Sequence, residues 1–505
     1  MLFANNILKP IFNNIKKYPE RNAFFISEKY FSYKDLGLEI NKIRFYLNSL
    51  KIKSKFFGIV TNDDLQTYAS IIALWSEGKA FVPINPKNPY KRNKKIINTI
   101  NLDYIFDTNP ESLYKILNVI NPTKLKPNNI ILNEMSFNDI TDDELLTYIL
   151  FTSGSTGEPK GVKISRKNIS SFFKNFWESG IKISKHDRCL QSFDLTFDVS
   201  IQCFIAPLIN GACIYTVPNN QIKYSYIYNL LENQEITFAV LVPSLLGYLR
   251  PYFSEILLKN LKNCIITAES CSIDLALDWI NCIPNCNLFN YYGPTELTIY
   301  CSNYKINKKK ITSHNGMLSI GKLFKNLKKI IIDENGNILP NEKKGELCIS
   351  GDQVSPGYWN DTKKNNSSFF ETSFEGLNRR FYKTGDICSI TKADNIILHG
   401  RIDSQIKIDG YRIEIGEIEF ISREYLKNVN IVIIPNKINN NYKLTAFIES
   451  KKIDTKLYID YLRSKLPAYM IPSKVKLLEK LPLNSNDKTD KIALKKMLND
   501  WKIKN

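Results

Sequence analysis

Phe151-Thr152-Ser153-Gly154-Ser155-Thr156-Gly157-Glu158-Pro159-Lys160-Gly161 is a loop rich in Ser, Thr and Gly that closes on a lysine. It lies between two apolar, strand-like runs, Leu145 to Phe151 and Val162 to Ser165. Each residue type in it suits a phosphate. Glycines let the backbone turn sharply and aim its N–H groups inward. The hydroxyls add donors, and Lys160 adds a compact positive charge. By itself the stretch also suits a flexible Ser/Gly hairpin. It is not the phosphate loop that ends in Gly-Lys-Ser/Thr and opens a helix, because Lys160 is followed by Gly161 and another strand-like run.

The 505 residues allow more than one domain and a large buried core. Residues Met1 to Pro10 lack a basic region followed by an apolar core, so no signal peptide is expected. No apolar run reaches membrane-spanning length. The expected setting is the cytoplasm, with no membrane partner. The ten cysteines are scattered through mostly apolar runs, and Cys282 and Cys286 have no second pair to complete a zinc site. They read as buried free thiols of a reducing compartment. Three histidines, His186, His314 and His399, leave little for a histidine-based metal or nucleophile site. The net charge of +19 comes from lysines spread along the chain, not gathered beside base-stacking aromatics, which argues against nucleic acid. A basic surface still favours an acidic protein partner.

Strand and helix signals alternate. Ile11 to Pro19 reads as an amphipathic helix, Ala23 to Ile26 and Phe31 to Tyr33 as short strands, and Lys34 to Leu47 as a helix. Phe56 to Val60 reads as a buried strand and Leu65 to Glu77 as a helix. This alternation predicts an α/β (α+β) fold of layered helices and mostly parallel sheets.

Four further stretches carry chemistry. Gln191 to Ser200 holds two Phe-Asp pairs, at Asp194 and Asp198. The distance to Pro207-Leu208-Ile209-Asn210-Gly211 favours Asp198, which as a plain structural residue would cap a helix. Asn290-Tyr291-Tyr292-Gly293-Pro294-Thr295-Glu296 is also a good turn. Tyr382-Lys383-Thr384-Gly385-Asp386 offers an acceptor-only carboxylate. The longest patterned stretch runs from Gly400-Arg401-Ile402-Asp403 to Gly410-Tyr411-Arg412 and on to Glu419.

Together these stretches resemble the adenylate-forming (ANL) superfamily, which includes acyl-CoA synthetases, luciferases and the adenylation domains of nonribosomal peptide synthetases. The resemblance covers nearly the whole chain. It implies a large N-terminal adenylation core, residues 1–402, with layered sheets and a small barrel-like part, hinged at Asp403 to a mobile C-terminal α+β domain, residues 403–505. It implies an ATP site built from Thr152, Ser153, Gly154, Ser155, Thr156, Gly157, Lys160, Asn290, Tyr291, Tyr292, Gly293, Pro294, Thr295, Asp386, His399, Gly400, Arg401 and Lys488. Within that site Tyr292 resembles the residue that stacks on adenine and Asp386 the carboxylate that holds the ribose hydroxyls. Thr295 and Glu296 resemble the hydroxyl and carboxylate near the α-phosphate and its magnesium, the magnesium position falling to Glu296; with Lys488 they are the expected catalytic residues. Lys488 falls in Leu481-Pro482-Leu483-Asn484-Ser485-Asn486-Asp487-Lys488, where the family usually has glycine at the Asp487 position. Gly410 resembles the position beside the pantetheine tunnel.

In amino-acid-activating members the aspartate matching Asp198 binds the substrate α-ammonium; acyl- and aryl-CoA ligases generally lack it. The implied substrate pocket comprises Asp198, Val199, Gln202, Val240, Ile265, Thr267, Tyr291, Ile299 and Tyr300, with Lys488 reaching the carboxylate. It is small, mostly aliphatic and carries two tyrosines. Asp198, Val199 and Gln202 resemble proline-activating domains. The chain ends at Asn505 without a carrier domain, so the expectation is a free-standing enzyme. It would convert a small neutral amino acid, L-proline favoured, with ATP and Mg2+ into its adenylate, and pass it to the phosphopantetheine thiol of a carrier protein. The alternatives are a D-alanine–carrier protein ligase, whose members typically carry cysteine at the place of Thr267, and an acyl- or aryl-CoA ligase.

Overall fold

The β-branched and aromatic runs form strands, and their two-residue period decides what each sheet face touches. The computed structural model describes residues 2–126, 140, 142–153, 158–218, 221–403, 405–427, 429–438, 441–483 and 489–503. The chain divides into two units. One comprises residues 1–86, 97–151 and 161–402; the other comprises 87–96, 152–160 and 403–505.

The first unit carries two mostly parallel sheets. In the nine-stranded one, Asn22–Ile26, Cys213–Thr216, Arg188–Gln191, Phe238–Leu241, Asn263–Ile266 and Asn287–Tyr292 run parallel in that order. Antiparallel strands close both sides, Lys29–Ser32 at one edge and Ser302–Lys305 followed by Lys322–Leu323 at the other. The seven-stranded sheet has Ala80–Ile84 and Phe56–Val60 at its centre. Helices Leu65–Ser76 and Val199–Asn210 are apolar almost all round, and in the first only Gln66 escapes full burial. They share one core cluster with Phe57, Phe81 and Tyr148 of one sheet and Val240, Ile265 and Phe289 of the other. A helix buried on every side needs no polar face. The opposite face of the nine-stranded sheet, with Leu241, Cys264, Ile266 and Leu288, packs on a second cluster that includes Leu246 and Trp279. A third sheet is antiparallel throughout and pairs Gly345–Ser350 with Leu377–Ile390, and the latter with Ile396–Arg401.

The second unit has its own core. Strands Ile431–Ile438 and Asn441–Glu449 pair antiparallel, and Lys474–Leu478 joins in parallel. The hairpin Gln405–Ile408/Tyr411–Glu414 turns on Asp409 and Gly410, both at positive φ (51° and 81°). Asp-Gly suits that turn because its mirror-image twist matches the strands.

Local chemistry moved several expected boundaries. The second short strand is Lys29–Ser32, and Tyr33 opens the helix Tyr33–Ser49. Ser32 is the reason: its Oγ accepts from the Asp35 N–H at 3.1 Å, and Asp35 accepts from the Ser32 N–H at 2.8 Å. This reciprocal cap stops the strand and starts the helix. The first helix is Lys9–Lys17 and stops ahead of Pro19, while Ala4–Leu8 before it winds as a wider π-type turn. The helix Val199–Asn210 ends at Gly211, whose φ of 72° is the left-handed stop that glycine adopts without strain. None of the ten cysteines, all of them among the described residues, is in a disulfide.

Helix Leu65–Ser76 starts on Asp64, whose Oδ1 accepts from the Thr67 N–H at 2.7 Å. Asp64→Ala should lower unfolding stability by about 1 kcal/mol, with no change of fold, as measured by urea denaturation followed by circular dichroism. No loss would mean the helix is held by its burial alone.

Candidate functional site

Asp198 stands at the start of helix Val199–Asn210, yet its side chain makes no capping bond there. It turns instead across the sheet end, where its Oδ2 accepts from the Ile299 N–H at 3.2 Å. It is 7% exposed, and no lysine or arginine among the described residues forms an ion pair with it. Burial pushes its pKa up to about 6; the Glu296 charge adds to this, while hydrogen bonding from Ile299, Thr295 and Val199 opposes it. The other Phe-Asp pair is used differently. Asp194 accepts from the Thr196 N–H and hydroxyl at 2.8 and 2.7 Å and from Asn85 at 2.6 Å, a turn residue with its acceptors occupied.

The segment that meets Asp198 is strained. Thr298 and Ile299 both have positive φ (58° and 71°), a region that costs β-branched residues on the order of 1–3 kcal/mol each. Gly293 makes room for it, since a Cβ there would sit 2.4 Å from the Ile299 carbonyl oxygen. Gln353, fully buried, gathers the segment: its Nε2 donates to the carbonyls of Leu297, Thr298 and Tyr300 at 3.0, 3.3 and 2.7 Å. Sequence inspection missed Gln353. It lies between Gly351 and Gly357 in a stretch with no periodic pattern, and only its contacts mark it.

The other expected substrate residues fall as follows. Val199 and Gln202 lie on the first turn of the helix that follows Asp198, and the Gln202 Nε2 is buried with no partner among the described residues. Val240 and Ile265 are register partners on adjacent parallel strands. The Thr267 hydroxyl donates to the Tyr291 carbonyl at 3.0 Å. Tyr291 and Tyr300 pack edge to face with centroids 5.2 Å apart, and the Tyr291 hydroxyl pairs with Ser179 at 2.6 Å. Val199, Val240, Ile265, Tyr291, Ile299 and Tyr300 share one core cluster. Burial, and after it the charges of groups including Asp198, drives the Tyr300 phenol well above its ordinary value, so it stays protonated.

Asn290 lies within strand Asn287–Tyr292, and Gly293, Pro294, Thr295 and Glu296 run off its end, the carboxyl end of the parallel strands, where open α/β sheets bind ligands. The Asn290 amide is tied to the Ser319 carbonyl at 2.9 Å. The Tyr292 hydroxyl donates to Asp386 Oδ2, and Arg401 donates to Asp386 Oδ1 at 2.8 Å. The antiparallel pairing of Asp386 with Arg401 sets that contact, so three residues far apart in sequence meet at one carboxylate. His399 pairs with Ser389 at 2.8 Å and faces His314, its centroid 4.5 Å away; burial, then Lys344 and His314, hold its imidazole below the ordinary value. Gly400 lies opposite Ile387. Glu296 is fully buried and accepts from the Tyr358 hydroxyl at 2.8 Å. No group of three His, Cys, Asp or Glu side chains able to hold a metal occurs among the described residues. A magnesium bound with phosphates keeps waters and needs one or two carboxylates, and the Glu296 carboxylate is of the type that requirement calls for.

In the second unit, Ser153 donates to the Arg412 carbonyl at 2.8 Å, and Lys160 lies 3.5 Å from Glu414. The Thr152 hydroxyl is buried without a partner among the described residues. Asp403 accepts from the Gln405 N–H at 3.2 Å. Gly154, Ser155, Thr156, Gly157 and Lys488 lie outside the described residues.

A sequence profile described as AMP-binding enzyme matches residues 11–359. The chain is 30% identical over 499 residues to Zwittermicin A synthase ZmaJ of Bacillus cereus, covering 95% of this chain and 93% of that one. It is 28% identical over 496 residues to Gramicidin S synthase 1 of Brevibacillus brevis, covering 95% of this chain but only 43% of that relative's length. Among solved structures, the Vibrio cholerae adenylation domain AlmE in complex with glycyl-adenosine-5'-phosphate shares the fold, with a TM-score of 0.86 at 24% identity over 98% of this chain and 97% of that one. This chain therefore belongs to the AMP-binding enzyme family and is an AMP-forming ligase that uses ATP.

The raised pKa of Asp198 makes a linkage prediction. The folded protein binds this proton more tightly than the unfolded chain, so the stabilisation is complete below about pH 4 and is lost as pH rises to about 6. Substrate-free Asp198→Asn should therefore gain melting temperature relative to the parent as pH rises from about 4 to about 7, by a few degrees. Differential scanning calorimetry across that range checks it, and a constant difference would show that Asp198 is not ionised late.

Proposed function

We propose that this chain activates a small neutral amino acid, L-proline before alanine, as its aminoacyl adenylate and transfers it to the phosphopantetheine thiol of a carrier protein. The observation that carries this is the buried Asp198 carboxylate, which has no ion-pair partner among the described residues. A buried charge requires a counter-charge, and a substrate α-ammonium supplies one. An acyl or aryl acid would bring none and would leave the carboxylate unpaired. Val199, Val240, Ile265 and Ile299 bring no charge to the side-chain pocket, so a charged side chain would be buried alone.

With its ammonium on Asp198, the substrate carboxylate would be fixed for attack on the α-phosphorus of ATP, forming the aminoacyl adenylate as the α–β phosphoanhydride bond breaks and pyrophosphate leaves, and positioning is the main catalytic contribution. Asp386, oriented by Arg401 and Tyr292, would hold the ribose hydroxyls. Thr295 and Glu296 would stand at the α-phosphate, Glu296 holding the magnesium with Tyr358 fixing its carboxylate. Magnesium, when bound, neutralises the charge on the phosphates. The loop Thr152 to Lys160 would cradle the phosphates, and Lys488 would bridge the substrate carboxylate and the α-phosphate. Asp403 would be the hinge on which the C-terminal domain turns before the thiol attacks the adenylate carbonyl and displaces AMP.

A panel of amino acids in ATP–pyrophosphate exchange should give proline the highest rate, and Asp198→Ala should lose roughly 3–5 kcal/mol of transition-state binding, with ATP binding retained. Exchange driven best by a charged amino acid, or undiminished in the variant, would overturn the assignment. Lys488→Ala should cut exchange by on the order of a hundredfold or more. It should still load a carrier thiol from preformed adenylate at a near-normal rate. Equal losses in both half-reactions would make Lys488 a structural residue.

A further inference from the structure

We propose that Gln353 is a positioning residue for the amino-acid site: its amide holds Thr298 and Ile299 in the left-handed conformation that turns the Ile299 N–H onto Asp198. The inference rests on Asp198 being the ammonium partner. Two consecutive β-branched residues at positive φ persist only where the surroundings over-determine them. Gln353 supplies that determination. Its Nε2 faces the carbonyls of Leu297, Thr298 and Tyr300, and its backbone carbonyl accepts from the Thr298 hydroxyl at 2.7 Å. The amide's orientation is set from behind, because Oε1 accepts from Asn175 Nδ2 at 2.7 Å, and Asn175 Oδ1 accepts from Asn326 at 2.8 Å. A flipped amide would set its oxygen against three carbonyl oxygens.

Removing the amide leaves buried carbonyls unpaired and lets residues 298 and 299 relax toward an ordinary conformation. The Ile299 N–H then leaves Asp198. The groups that remain around that carboxylate are Glu296, whose charge opposes ionisation, the Thr295 side chain and the Val199 N–H, which favour it, and the phenols of Tyr148 and Tyr300. None of them replaces the lost donor. Asp198 becomes harder to ionise, so ammonium binding weakens and its onset moves to higher pH.

The test compares Gln353→Met, which keeps volume but has no amide, with the parent enzyme in ATP–pyrophosphate exchange at varied amino acid and varied ATP. The KM for the amino acid should rise on the order of tenfold, as for loss of a hydrogen bond to a charged group, while the KM for ATP stays near its parent value. The low-pH limb of kcat/KM for the amino acid should move up by about half a unit. Adding Thr298→Gly, which adopts positive φ freely, should recover part of the lost affinity. If Gln353→Met does not fold, Asn175→Ser, which removes the amide's rear anchor, should show the same shifts at smaller size. Unchanged KM and pH limb in a folded variant, or equal rises in both KM values without a pH shift, would overturn the proposal. Asp198→Asn serves as control: if it keeps amino-acid-dependent exchange, the site assignment itself fails, whatever Gln353 does.

Discussion

A carboxylate buried without an ion-pair partner among the described residues is the constraint around which this site is organised. Asp198 is removed from water by the helix that begins beside it and by the ends of the strands that face it. Burial raises the free energy of its ionised form, and the donors around it reduce that penalty only in part. On the proposed function, that cost is what would make the site selective: a ligand that carries a cation would relieve it, and a ligand without one would not. Stability given up at such a point is the usual trade for function.

The surrounding architecture makes that arrangement rigid. Parallel strands bring successive chain ends to one side of the sheet, so residues following Phe238–Leu241, Asn263–Ile266 and Asn287–Tyr292 gather there. Binding residues sit on loops, and the sheets beneath hold those loops in place. The left-handed pair Thr298-Ile299 is the sharpest example. Its conformation is unfavourable locally and is maintained by Gln353 from a distant part of the chain and by the absence of a side chain at Gly293. Asp386 follows the same logic, with Arg401 placed by strand pairing and Tyr292 by a different sheet.

Much of this was legible in the residues. The alternation of strand and helix signals was sufficient for the α/β class with mostly parallel sheets, because a two-residue or 3.6-residue period is a property of neighbouring positions. The motif containing Asp198 could be separated from the Asp194 pair by spacing, and the two carboxylates have different surroundings: Asp194 is saturated by its own turn and Asn85, Asp198 is buried. Boundaries were less legible where a side chain competes with the backbone, as at Ser32, whose reciprocal cap with Asp35 ends a strand one residue before Tyr33.

The sequence by itself determined which chemical groups the site could contain and the periodicity that folds them into layers, since both are local properties of the chain. Tertiary structure alone decided the pKa of Asp198 near 6, the pairing of Glu296 with Tyr358, the meeting of Tyr292 and Arg401 on Asp386, and the brace from Gln353. Each depends on burial or on contact between residues distant along the chain. Desolvation and hydrogen-bond geometry arise only when those residues are brought together, so no local pattern encodes them.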